Sequence, residues 1–106
     1  MIQSDRLSSR ELENLLLKLR NCIRIKHYSI RTEEACVHWI NRFLKFHFNR
    51  KPELVREPDV QLFLTYLAVS RHVAASTQNQ ATTAILFLYR EVLITHWTGS
   101  KILNMP

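Results

Sequence analysis

The sequence predicts an all-α fold, a compact bundle of four helices joined by short links. One glycine and three prolines in 106 residues are too few for the turns of a β-sandwich. The hydrophobic fraction of 46% suits a chain that buries a core and argues against general disorder. Apolar residues also recur at steps of three and four in successive stretches, which is the spacing of amphipathic helices.

The first helix is predicted at residues 9–26, after a flexible N-terminus at residues 1–8. Ser8 and Glu11 have the spacing of a capping box, in which each side chain accepts a hydrogen bond from the other residue's backbone amide. The apolar face of this helix consists of Leu12, Leu15, Leu16, Leu19, Cys22 and Ile23.

The second helix is predicted at residues 30–48, with Ser29 as its N-cap and Thr32 as the alternative if the helix begins later. Glu33 and Glu34 fall in its first turn, where the helix dipole favours carboxylates. The residues then divide into two stripes. The apolar stripe consists of Cys36, Trp39, Ile40, Phe43 and His47, and the cationic stripe of Arg31, His38, Arg42 and Lys45.

Two further helices complete the predicted domain at residues 9–94. The third begins at Glu57-Pro58-Asp59, with proline at the first turn, and ends near Ser70 or Arg71. Its predicted buried residues are Val60, Phe63, Leu64, Leu67 and Ala68. The fourth spans residues 75–94 and buries Ala81, Ala84, Ile85, Leu88 and Val92. Residues 95–106 are predicted to be a tail or the start of a linker.

Enzymatic chemistry is poorly supported by the residues. The five histidines and two cysteines lack the paired spacing of zinc ligands, and a single glycine leaves no phosphate-binding loop. Both cysteines lie on apolar stripes, which predicts core thiols in a reduced compartment. We therefore expect no catalytic residue, no metal, no cofactor and no small-molecule ligand.

The apolar runs are too short to span a membrane, and the polar start is no signal peptide, which predicts a cytoplasmic protein.

The net charge of +6 predicts a partner of negative charge, most often nucleic acid. The excess of positive charge is concentrated between Lys18 and Lys51, a stretch that contains nine lysines and arginines but only two carboxylates. Two alternatives stay open at this point. Instead of binding nucleic acid, the basic face could be only a solubilising surface. It could also be the docking surface of a protein-interaction module for an acidic partner.

Two polar helix starts are the candidate contacts with double-stranded DNA. Arg31, Arg42 and Lys45 are spaced to follow a phosphate backbone. The fourth helix opens with uncharged side chains at a terminus that attracts phosphate, and Gln and Asn also bond adenine in the major groove. These residues are Ser76, Thr77, Gln78, Asn79 and Gln80. The plainer interpretation of them is a solvated first turn, and that of Tyr28 is a half-buried residue at a joint.

Three motifs then carry a resemblance to a known family. They are Lys26-His27-Tyr28-Ser29-x-Arg31-Thr32-Glu33-Glu34-Ala35, Val37-x-Trp39-Ile40-x-Arg42-Phe43 and Ala75-Ser76-Thr77-Gln78-Asn79-Gln80-Ala81. With them, about residues 11–94 resemble the core-binding domain of integron integrases, which are tyrosine recombinases. The resemblance implies a SAM-like, four-helix orthogonal bundle that holds one side of the recombination site in a C-shaped clamp. It also implies that the first helix packs against a neighbouring protomer in a synaptic tetramer.

The resemblance implies DNA contacts within the same two clusters. They fall on Lys26, His27, Tyr28, Ser29, Arg31 and Thr32, and on Ser76, Thr77, Gln78 and Asn79. The sequence departs from the family where Cys36 replaces an expected tyrosine and where Ala74 and Ala75 replace a usual serine cap. It also lacks the family's catalytic domain, so we expect no enzyme by itself, but either a domain cut at its boundary or the inactive remnant of a truncated gene. The family implies a bacterial, nucleoid-associated protein.

Overall fold

The structure is a computed structural model that describes residues 6–93. The described elements are α1 (Ser9–Ile25), α2 (Ile30–Phe46), a 3-10 turn (Pro52–Leu54), α3 (Glu57–Val69), α4 (Ala75–Phe87) and a π-helical turn (Leu88–Val92). Within these residues the extended pairing is limited to an isolated bridge between Arg6 and Arg50. The predicted all-α bundle of four helices is confirmed. The predicted end of the fourth helix at residue 94 lies outside the described residues.

The helix starts follow the local signals in the sequence. In the capping box, the Glu11 amide donates to Ser8 Oγ at 3.1 Å and the Ser8 amide donates to Glu11 Oε1 at 2.8 Å. Ser29, and not Thr32, caps α2, because Ser29 Oγ accepts from the Thr32 amide at 3.2 Å. Each bond satisfies a first-turn amide that has no partner inside its helix.

A tight joint connects α1 to α2. His27 has a left-handed backbone conformation with φ of 62°. Its amide donates to the Arg24 carbonyl at 2.9 Å, and the Tyr28 amide donates to the Ile23 carbonyl at 3.3 Å. This pair of bonds is the Schellman motif, which satisfies the last carbonyls of a helix and turns the chain sharply. The joint therefore fixes where Lys26, His27, Tyr28 and Ser29 stand relative to both helices.

The core is formed by one face of each helix. Phe43 of α2 is fully buried and makes edge contacts with Phe63 of α3 and with Tyr89, at ring-centroid distances of 5.5 and 6.5 Å. The other fully or almost fully buried apolar residues include Leu19, Ile23, Ile40, Leu44, Val60, Leu64, Leu67, Ala81, Ile85 and Leu88. The predicted buried faces are confirmed except at Ala68, which is exposed. The side of α3 that packs on the other helices covers fewer residues than the apolar stretch of its sequence.

The π-helical turn changes which side chains the end of the fourth helix buries. Leu88, Tyr89 and Val92 are all buried there, although the predicted buried face did not include Tyr89. The Tyr89 hydroxyl donates to the Pro52 carbonyl at 2.8 Å, which satisfies its only polar group inside the core. Burial raises the pKa of this phenol. Tyr89 is thus a structural residue.

The N-terminal segment is partly held by the bundle. The Leu7 amide donates to the Asn49 carbonyl at 2.7 Å, and the Leu7 side chain packs against the core. Leu7 thus contacts the bundle through both its backbone and its side chain. Residues 1–5 lie outside the described residues.

We expect folding stability to fall as the pH drops through the ordinary histidine pKa, because of His47. Its ring packs against Phe43 and Phe46, and Nε2 lies 3.1 Å from the Asp59 carbonyl oxygen. Burial lowers the pKa of His47 below 6.5, despite that carbonyl. The unfolded chain therefore binds a proton more readily, so stability is full above pH 6.5 and declines below it.

Urea unfolding at about pH 7.5 and about pH 5.5 measures this dependence. The His47→Gln variant should lose part of it, whereas His38→Gln, at an exposed position, should keep all of it. Equal pH dependence in the wild type and His47→Gln would contradict the assignment.

Candidate nucleic-acid interface

An open groove runs between α2 and α4, with a volume of about 760 Å³. We name it the α2–α4 groove. Its apolar lining consists of Ile23, Ala35, Cys36, Trp39, Ala84 and Phe87. Its polar lining consists of Tyr28, Arg31, Thr32, Ser76, Asn79, Gln80 and Thr83. The apolar residues belong to the helix faces that pack together, and the polar residues come mainly from the first turns and the exposed edges.

The groove brings together parts of the two polar helix starts that the sequence singled out. Tyr28, Arg31 and Thr32 come from the start of α2, and Ser76 and Asn79 come from the start of α4. The two clusters are far apart in the chain and meet because α2 and α4 pack against each other. A positive charge, hydroxyls and an amide therefore share one concave surface.

The start of α2 presents its side chains in different ways. The Tyr28 ring packs edge-on against Phe87 at 6.1 Å and stays half exposed. The Ser29 hydroxyl is used within the turn, since it accepts from the Thr32 amide and donates to Thr32 Oγ1 at 3.1 Å. Arg31 is exposed and makes no ion pair among residues 6–93. Arg31 is thus the cation most available to a ligand in the groove.

The start of α4 has a different local structure. Its N-cap is Ala74, with φ of −68° and ψ of 158°, and no side chain caps the first turn. Gln78 points toward α3, where its Nε2 donates to the Leu64 carbonyl at 2.9 Å. Ser76 and Asn79 are exposed at the groove, whereas Thr77 is half-buried outside its lining. The uncharged cluster is therefore divided between a groove-facing part and a structural part.

The remaining predicted contact residues lie outside the groove lining. Lys26 Nζ pairs with Glu91 Oε1 at 3.1 Å, and His27 is exposed at the joint. The Arg42 guanidinium lies over the Trp39 ring, 5.1 Å from its centroid, a cation–π contact that keeps the charge. Lys45 is exposed near the end of α2.

Sequence reasoning missed the role of Glu33. The sequence assigned it to the helix dipole, but its side chain is only 5% exposed and binds two arginines of α1. Arg20 Nη1 lies 2.7 Å from Oε2, and Arg24 Nε lies 2.9 Å from Oε1. These hydrogen bonds, with Arg24 first and Arg20 second, hold the pKa of the Glu33 carboxyl below its usual range. A spacing pattern does not reveal this contact, because it joins two helices.

Thr83 was absent from the predicted contact set. It lines the groove beside Gln80 and follows Asn79 by one helical turn. Ser76, Asn79 and Thr83 follow one another at steps of three and four residues, so extending this helical face in the sequence would have identified Thr83.

The cysteines and histidines form no reactive centre in the described part of the chain. Cys36 is buried, and burial raises the pKa of its thiol to about 11, so the thiol stays protonated and unreactive. Residues 6–93 contain no group of three or more His, Cys, Asp or Glu side chains that would hold a metal ion. No helix among the same residues is long and apolar enough to cross a membrane.

Residues 15–99 match the sequence profile of the phage integrase N-terminal SAM-like domain. The chain belongs to this family. It is 47% identical over 92 residues to proteins described as integrase/recombinase from Escherichia coli and from Pseudomonas aeruginosa. The alignment covers 87% of this chain and 27% of each relative. A putative integrase/recombinase of Sinorhizobium fredii is 23% identical over 84 residues, which cover 79% of this chain and 27% of that protein.

The resemblance seen in the sequence motifs is thereby confirmed, as is the SAM-like integrase fold class. The chain spans 27% of the length of each of these relatives. The shared part is the helical domain that contains the α2–α4 groove.

An N-cap introduced at α4 should stabilise the domain. Ala74 already has the extended backbone of a cap residue, so Ala74→Ser supplies an acceptor for a first-turn amide without a backbone change. We expect the free energy of unfolding to rise by about 1 kcal/mol in urea titrations. The opposite variant, Ser29→Ala, should lower it by about the same amount, because it removes the existing cap of α2. No gain from Ala74→Ser would show that another group already satisfies these amides.

Proposed function

We propose that this chain is the core-binding domain of a tyrosine site-specific recombinase and binds double-stranded DNA through the α2–α4 groove and the helix starts beside it. The supporting observation is that Arg31, exposed and without an ion pair among residues 6–93, shares this groove with Ser76 and Asn79. Family membership supports the same function, because integrases and recombinases act on DNA. The domain binds DNA in this proposal and does not cut it.

Phosphate contacts supply the affinity. Arg31 lies in the first turn of α2, where the positive end of the helix dipole adds to its charge. Lys45 and Arg42 extend the positive surface along the same helix, and the cation–π contact of Arg42 leaves its charge available. Lys26 and His27 flank the groove at the joint. Such contacts set the register of the duplex without reading its sequence.

Base contacts supply the sequence preference. Asn79 and Ser76 are exposed at the groove, and an Asn amide bonds adenine through two hydrogen bonds in the major groove. Thr77 lies beside them at the start of α4, within reach of a phosphate. Gln78 is assigned a structural role in this proposal, because its amide donates to the Leu64 carbonyl. Tyr28 and Thr32 complete the surface on the side of α2, and Ser29 orients their turn.

The whole recombinase would use this domain as one half of a clamp. Cleavage through a phosphotyrosyl bond would belong to a second domain, and α1 would contact a neighbouring protomer in the synaptic tetramer. A single half binds weakly when the second half normally supplies the avidity. The domain would act at bacterial DNA in the nucleoid, and neither metal nor cofactor enters its binding chemistry.

An NMR titration of the ¹⁵N-labelled domain with a mixed-sequence duplex tests the proposal. We expect shifts at the residues of the α2–α4 groove and at the joint, reversed between about 50 mM and about 200 mM salt. Shifts centred on the exposed Leu62 and Val69 of α3 would contradict it. An equal response to an acidic polypeptide would instead favour the alternative, a protein-interaction module. No shift at low salt would favour an inactive remnant.

The Arg31→Gln variant should weaken binding to all duplexes equally. Loss of one phosphate contact lowers the slope of log Kd against log salt by about 1. Fluorescence anisotropy with two unrelated duplexes measures both quantities. Arg10→Gln removes the same charge at an exposed position of α1 and should leave the slope unchanged. Equal slopes for the two variants would refute the role given to Arg31.

Asn79→Ala and Gln78→Ala should have separate effects. Asn79→Ala should lose about 1–3 kcal/mol of discrimination between bases at one position, because it removes a base contact. Gln78→Ala should keep the sequence preference but lower the free energy of unfolding by about 1 kcal/mol, since it removes the bond to the Leu64 carbonyl. Selection from a randomised duplex library and urea unfolding measure the two effects. A changed preference in Gln78→Ala alone would reverse the assignment.

A further inference from the structure

Positive charge is neutralised unevenly over the described residues. Arg20 and Arg24 pair with Glu33, and Lys26 pairs with Glu91, all near the end of α1. Arg31, only two residues before Glu33, has no such partner in the range 6–93 and lines the α2–α4 groove. The buried Glu33 carboxylate thus neutralises Arg20 and Arg24, whereas the pair of Lys26 with Glu91 is exposed to solvent.

Glu33 holds its two arginines by three hydrogen bonds. Arg24 donates through Nε to Oε1 at 2.9 Å and through Nη2 to Oε2 at 3.2 Å, and Arg20 Nη1 donates to Oε2 at 2.7 Å. The carboxylate is 5% exposed, whereas the Arg20 and Arg24 side chains are 39% and 67% exposed. If either guanidinium moved to a phosphate, a buried carboxylate would lose partners, which is unfavourable. The arginines are therefore close to solvent but held in place.

We propose that Glu33 is a specificity-determining residue, because it keeps Arg20 and Arg24 from binding DNA phosphates and confines phosphate binding to the α2–α4 side. The inference rests on the proposed function. Phosphate contacts strengthen binding to every sequence alike. A carboxylate that removes two of them lowers non-specific affinity without touching the base contacts of α4.

A purely structural role of Glu33 predicts the opposite sign. The residue also ties α1 to the first turn of α2, so its loss on that account would disturb Arg31 and weaken DNA binding. Under our proposal its loss strengthens binding to any duplex and reduces sequence discrimination. The direction of the change therefore separates the two roles.

Glu33→Gln and Glu34→Gln form a matched pair for the test. Both variants remove one negative charge near the start of α2, but Glu34 is exposed and takes no part in the arginine cluster. The probe is a mixed-sequence duplex of about 30 base pairs, roughly three helical turns. Anisotropy titrations of the full chain from about 50 mM to about 200 mM salt give Kd and its salt slope.

We expect Glu33→Gln to bind more tightly at low salt and to steepen the slope of log Kd against log salt by about 0.9 for each arginine released. Glu34→Gln should leave the slope unchanged. Weaker binding by a folded Glu33→Gln, or equal slopes for the two variants, would overturn the proposal. Circular dichroism establishes that each variant is folded.

A second pair decides the question if Glu33→Gln fails to fold. Arg24→Gln and Arg31→Gln remove the same charge, and Arg24→Gln leaves the 2.7 Å bond from Arg20 to Glu33 in place. We expect Arg24→Gln to keep the wild-type slope, whereas Arg31→Gln lowers it by about 1. Equal losses would show that Arg24 contacts phosphate and would overturn the proposal.

The two proposals fail in distinguishable ways. If the wild type shows no salt-dependent binding to the duplex, both the DNA-binding function and the role of Glu33 are refuted. If the wild type binds and Arg31→Gln lowers the slope, but Glu33→Gln behaves like Glu34→Gln, only the role of Glu33 is refuted.

Discussion

The packing of the Phe43 ring fixes one of the two helices that line the candidate interface. This ring is fully buried and contacts Phe63 of α3 and Tyr89 of the π-helical turn. Close packing of large side chains leaves a helix little freedom to rotate. Because α2 is held from its core face, the orientation of Arg31 and Thr32 in its first turn follows from the core. The candidate interface therefore depends on a contact inside the core.

The elements that sequence reasoning placed correctly are those with local causes. Ser8 with Glu11, and Ser29 with Thr32, act within one turn, so their spacing alone predicts the helix starts. The two polar clusters were likewise recognised from their local composition. Their meeting in one groove depends on the fold, since α2 and α4 are separated in the chain by the whole of α3.

Sequence reasoning did not identify the contacts that join one helix to another. Gln78 sits in a polar cluster but donates to a carbonyl of α3, and Glu33 sits in a first turn but binds two arginines of α1. Tyr89 enters the core through a π-helical turn, which a regular helical period does not represent. Periodicity assigns a side chain to a face of its own helix but does not identify what lies opposite.

The uncapped start of α4 has a consequence for ligand competition. The first amides of a helix donate either to a side-chain oxygen of their own chain or to an oxygen of a ligand, and each acceptor excludes the other. At Ala74 the chain supplies no such side chain. Under the proposed function, a DNA phosphate would therefore bind these amides without displacing a side-chain cap. An alanine at this position thus gives up the stability of a side-chain cap and leaves the first amides of α4 without an internal side-chain acceptor.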